Sequence, residues 1–149
     1  MSKRANMKIN KVIIASDHAG YRLKEIVKNF LIKKRKKVLD IGTKNSKSVD
    51  YPDFAHSLSR KMGNEKNQIG ILICGSGLGM DMAANKHKNI RAALCYNTKS
   101  TKLSRKHNNA NVMAIGARLT KRNVVLKCVS TFMKTDFESG RHQRRVKKI

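Results

Sequence analysis

A chain of 149 residues can form one compact domain with a proper core, and 40% apolar residues exclude a disordered chain. One proline and nine glycines exclude a linker-rich or collagenous chain, and three distant cysteines (Cys74, Cys95, Cys128) make neither a disulfide framework nor a zinc site. The 34 Lys and Arg against 9 Asp and Glu give a charge of +25, spread along the chain without interleaved aromatics, which argues for a basic surface attractive to anionic substrates rather than a nucleic-acid footprint.

The start, MSKRANMKINKVIIAS, carries positive charge but only a four-residue apolar run at 12–15, shorter than a secretory signal requires. No segment approaches the roughly 18 apolar residues of a membrane span. A reducing cytoplasm is the expected location.

Residues 12–16 read as a strand that ends in the turn Asp17-His18-Ala19-Gly20. From 21 to 33, Leu23, Ile26, Val27, Phe30 and Leu31 recur at intervals of three and four, the period of an amphipathic helix. A second strand is expected over 37–41, a polar loop over 42–49, and a helix from Tyr51 to about 62 with Pro52 in its first turn. The run IGILIC at 69–74 is the most hydrophobic in the chain, short and without alternation, as a strand buried on both faces should be. A glycine loop follows, then a helix over about 80–85, a strand over 90–95, a helix over 98–107, a strand over 112–115 and a closing helix over 121–133. The residues from about 136 read as a polar, basic tail. Five strands alternating with helices predict an α/β, Rossmann-like three-layer sandwich on a five-stranded parallel sheet, in one domain spanning 1–149.

In open parallel sheets, ligands bind beyond the carboxyl ends of the strands. Asp17-His18, the loop 74–79 and Asn97 all fall at such ends. The loop Gly75-Ser76-Gly77-Leu78-Gly79 lacks the spacing of a dinucleotide fingerprint and the Gly-Lys-Ser/Thr ending of a nucleotide loop. What it suits is a small oxyanion, phosphate or enediolate, held by backbone amides. Cys74 stands where the strand meets this loop, where amides and a helix start favour thiolate, as nucleophile or as base. Cys95 and Cys128 read as core cysteines. His107 closes a helix, as a favourable cation there or as a proton shuttle, and Arg141 and Arg145 stand one helical turn apart, as a phosphate clamp or a solvated basic tail.

The ordered set DHAG at 17–20, DYP at 50–52, GILICGSGLG at 70–79, AANK at 83–86, SRKHN at 104–108 and GRHQ at 140–143 resembles the type B ribose-5-phosphate isomerases, a family that includes the galactose-6-phosphate isomerase subunits. The resemblance runs from about 11 to 146. It implies a homodimer or tetramer with sites shared between chains, and no metal or organic cofactor. It implies Cys74 as the base that moves a proton through a cis-enediolate between ribose 5-phosphate and ribulose 5-phosphate. Ser76 and His107 would assist ring opening, His107 and Asn108 reaching across from the partner chain. Asp17 would hold the sugar hydroxyls and ring oxygen, His18, Arg141 and Arg145 the phosphate, and Arg118 would be a further basic contact at the site. Tyr51 would line the pocket, beside the amides of Gly75, Gly77 and Gly79. Some relatives carry a carboxylate after the glycine loop; here Met80 stands there and Asp81 is expected at the surface. Rival readings are an isomerase of allose or galactose 6-phosphate, and a non-catalytic sugar-phosphate or RNA-binding protein.

Overall fold

The computed structural model describes residues 9–149; half of the segment weighed as a possible signal, residues 1–8, lies outside the described residues. The elements are β1 (Lys11–Ser16), α1 (Tyr21–Lys33), β2 (Lys37–Asp40), α2 (Tyr51–Lys61), β3 (Gln68–Cys74), α3 (Leu78–Ala84), β4 (Ala92–Leu94), α4 (Thr98–Asn108), β5 (Val112–Gly116), α5 (Arg122–Lys134) and α6 (Gly140–Val146).

The strands form one five-stranded, all-parallel sheet in the order β2-β1-β3-β5-β4. This is the expected α/β, Rossmann-like sandwich. Its central strands read as continuous apolar runs because both faces are covered. Val12 and Ile14 of β1, Ile69, Ile71 and Ile73 of β3, and Met113 and Ile115 of β5 face a core completed by Leu23, Val27 and Leu31 of α1 and Val125, Val129 and Phe132 of α5. Ile13, Ala15, Leu72 and Ala114 face the other way, against Ala55 and Leu58 of α2 and Met80 and Ala84 of α3. Helix α4 packs on α5, and α6 on α4. Among the described residues, no helix is long and apolar enough to cross a membrane.

Three local expectations need correction. The fourth strand, expected over 90–95, is only Ala92–Leu94. It pairs with β5 alone; at Arg91 the carbonyl still accepts the Asn111 amide at 2.9 Å, but the Arg91 amide goes to the Asn111 side chain at 2.8 Å, so the regular ladder begins only at Ala92. Helix α3 starts at Leu78, not near 80, because Gly77 adopts φ 80 and turns the chain directly into it. Within the polar C-terminal stretch, residues 140–146 fold as α6, whose His142 is buried rather than solvated.

Candidate active site

The chain leaves β1 to one side for β2 and then crosses to β3 on the other, so the sheet's switch point lies between β1 and β3. Register pairs Ser16 with Ile73, which sets Asp17 beside Cys74. The Asp17 amide donates to the Ile73 carbonyl at 3.1 Å, and the Asp17 carboxylate accepts the Gly20 amide at 3.0 Å. That second bond folds the turn back and leaves Asp17 only 6% exposed.

After β3 the chain turns within three residues. The Gly77 amide donates to Cys74 Sγ at 3.2 Å, and the Leu78 amide to Ser76 Oγ at 3.2 Å. The left-handed conformation of Gly77 makes this turn possible at low cost. The loop is tied to the end of β5 by the Ala117 amide on the Cys74 carbonyl and the Arg118 amide on the Gly75 carbonyl, at 2.8 and 2.9 Å. These bonds carry the Arg118 side chain over Gly75, where a Cβ would lie 3.2 Å from a guanidinium nitrogen. The first intrahelical bond of α3 runs from Asp81 N–H to the Gly77 carbonyl, so the amides of Gly79 and Met80 have no acceptor within the helix.

Around this turn is a cavity of about 390 Å³ lined by Asp17, Tyr51, Cys74, Gly75, Ser76, Gly79, Arg118 and Leu119. Seven of the expected site residues therefore meet in one place. Cys74 is 4% exposed, yet it is one of the residues that line the cavity. Gly77 is buried, and His18, next to Asp17 in the chain, is outside the cavity lining, its Nδ1 accepting the Val49 amide at 3.2 Å. Leu119, missed in the sequence, is 73% exposed at the rim. Its only sequence signal is its position just after the strand β5. Asp81 also departs from expectation: it is half-buried rather than on the surface, and burial pushes its carboxyl above the usual range.

His107, Asn108 and Arg145 do not join this group. Helices of a parallel sheet run against the strands, so the last turn of α4 lies by the strands' amino ends, opposite Cys74. The buried Arg105 secures it there, donating from Nε to the Thr135 carbonyl at 3.0 Å and from Nη1 to the Ala110 carbonyl at 2.5 Å. A second cavity, of about 370 Å³, is lined by His107, Asn108, His142, Arg145, Val146 and Ile149. Arg141, also on α6, is exposed and outside that lining. One chain thus carries two partial constellations at opposite ends of its sheet.

A family model described as Ribose/Galactose Isomerase matches residues 12–149. A protein of Rickettsia bellii described as a putative sugar phosphate isomerase is 43% identical over 143 residues, covering 96% of this chain and 99% of that one. The structure of ribose 5-phosphate isomerase B from Anaplasma phagocytophilum superposes with a TM-score of 0.91 at 44% identity, covering 95% and 97% of the two chains. That of the Mycoplasma genitalium ribose-5-phosphate isomerase B with bound ribulose-5-phosphate gives a TM-score of 0.89 at 44% identity, covering 93% and 92%.

Proposed function

The chain belongs to the ribose/galactose isomerase family and is an isomerase; within that family we propose that it interconverts ribose 5-phosphate and ribulose 5-phosphate in the cytoplasm, with Cys74 as the base. The observation that carries this reading is the lining of the first cavity. Cys74, whose sulfur accepts the Gly77 amide, lines one cavity with Asp17, Tyr51, Ser76 and Arg118, beside first-turn amides that have no acceptor within the helix. Thiolate, donors for a developing oxyanion and an anchor for phosphate are what proton abstraction beside a carbonyl needs.

In this mechanism the furanose binds with its hydroxyls on Asp17 and its ring opens with help from Ser76 and His107. The Cys74 thiolate takes the proton from the second carbon and returns it to the first. One proton meanwhile passes between the two oxygens, so the reaction is redox-neutral overall. The cis-enediolate formed between the two transfers carries its charge against the amides of the 75–79 loop. His18, Arg141 and Arg145 hold the phosphate, Arg118 is a further basic contact in the cavity, and Tyr51 closes the side of the pocket. His107, Asn108, Arg141 and Arg145 lie away from Cys74 in one chain, so the reading requires a homodimer in which each chain completes its partner's site.

Turnover of ribose 5-phosphate in deuterated water tests the proton-transfer step. Deuterium on the first carbon of the ketose is expected, since an acid-base relay through sulfur exchanges with solvent. Strict retention of the migrating hydrogen would favour a hydride shift and remove the need for a base. Parallel assays with allose and galactose 6-phosphate settle chain length.

A further inference from the structure

Among the described residues, one group of three metal-ligating side chains lies together: His107 at the end of α4, Glu138 in the segment after α5, and His142 on α6, with their donor atoms within 4.8 Å of one another. We propose that these three side chains form a binding site for a zinc-class divalent ion, and that its occupation silences the isomerase by capturing His107.

The donor set is the first argument. Two imidazoles and a carboxylate suit Zn²⁺ and its neighbours in the transition series, whereas Mg²⁺ and Ca²⁺ prefer all-oxygen shells. Three protein ligands leave a fourth position for water or an anion.

Geometry is the second. Bonds of about 2.0–2.2 Å to a tetrahedral ion put donor atoms roughly 3.4 Å apart. Glu138 Oε2 and His142 Nε2 already stand 3.5 Å apart, one helical turn from each other in sequence. Glu138 is held from behind and His142 is fixed by burial. The Glu138 amide donates to the Lys106 carbonyl at 3.1 Å, Lys106 Nζ lies 3.1 Å from the second carboxylate oxygen, and His142 is only 7% exposed. Orientation by such outer partners is what metal-ligating side chains ordinarily need. His107 is the adjustable member. Its ring stacks on His142 with centroids 4.2 Å apart and planes 13° from parallel, so it must tilt to aim its lone pair at the same ion. It is less buried than His142 and faces the second cavity, which gives it room to do so. Arg145 lines that cavity and would favour an anion in the fourth position.

The metal site itself does not depend on the catalytic reading; only the inhibition does. Calorimetry with ZnCl₂ on the full-length protein should give one ion per chain, and Co²⁺ should give d–d bands without sulfur-to-metal charge transfer. Glu138→Gln and His142→Asn should each weaken binding about tenfold or more, the range seen when even outer partners are lost. Zn²⁺ should inhibit isomerisation reversibly, with chelator restoring it, and Glu138→Gln should keep basal activity while resisting Zn²⁺. No binding to the native protein, unchanged affinity in both variants, or a charge-transfer band marking Cys74 as the ligand would overturn the site. Binding without inhibition would uphold the site and contradict the role given to His107.

Discussion

The Tyr51 ring lies flush on Gly79: a Cβ at residue 79 would stand 2.5 Å from both Cε2 and Cζ of the tyrosine. The first helical residue of α2 and the first turn of α3 are thereby locked together at the cavity wall. Gly79→Ala must push the exposed Tyr51 ring out of the cavity wall, while the buried contacts of Ala55 and Leu58 with Met80 and Ala84 keep α2 and α3 together. We expect kcat/KM for ribose 5-phosphate to fall on the order of 10–100-fold, the scale of misplacing a binding group by about an ångström. Thermal stability should change little. Steady-state kinetics beside a melting curve separate the two effects; an unaltered kcat/KM would remove Tyr51 from the site.

The two cavities at opposite ends of one chain make a second prediction. Cys74→Ala and His107→Asn chains should each be nearly inactive alone. After mixing and subunit exchange, about half the dimers are mixed, and each has one complete site of two, so activity recovers to about a quarter of wild type. No recovery on mixing would mean that His107 never serves a partner's Cys74.

Much of this was legible in the sequence, and the failures have physical reasons. Element order and the parallel sheet follow from short apolar runs such as 69–74, whose burial on both faces leaves no other reading. The convergence of Asp17, Cys74 and Ser76 follows from the rule that ligands gather at carboxyl ends near a switch point. What pattern alone missed was set by tertiary contacts. Residues 140–146 look solvated because three of the seven are arginines, yet the burial of His142 makes them a docked helix. The location of His107 opposite Cys74 depends on helix direction, not on local composition.

The three cysteines should differ sharply in chemistry. Cys95 is buried, and its thiol is pushed up to about 12 by that burial. Cys128 is also buried and shifted upward for the same reason. Of the three, Cys74 alone is in the lining of the first or the second cavity. Iodoacetamide at neutral pH should therefore modify the native protein once, at Cys74, with ribose 5-phosphate slowing the reaction. Peptide mapping checks this, and preferential labelling of Cys95 would contradict it.

Stability should fall on acidification through a specific cluster. Lys24, 1% exposed, contacts Asp40 at 2.6 Å and Glu25 at 3.0 Å, and Lys28 joins the same two acids. Burial alone would raise the Asp40 carboxyl, but Lys24, the Gly42 amide and Lys28 outweigh it and hold it below the usual range; the Lys24 hydrogen bond lowers Glu25 likewise. Depressed carboxylates contribute stability that is full above their unfolded values, near pH 4, and drains away as pH falls through the folded ones. The melting temperature should therefore drop below about pH 4, and Asp40→Asn should flatten that drop. At neutral pH the same variant should cost about 3 kcal/mol, because Lys24 stays buried with Glu25 as its one remaining acid. Melting curves across pH are the check, and a parallel acid profile in the variant would contradict it.

Cys74 in the lining of the first cavity is the residue on which the proposed chemistry turns. Single-turnover kinetics of Cys74→Ala, with calorimetry of inorganic phosphate binding to the same variant, probes it most directly. The predicted result is a loss of about 10²–10⁴-fold in the chemical step, the usual contribution of a positioned base, with phosphate affinity retained. A chemical step at the wild-type rate would contradict it.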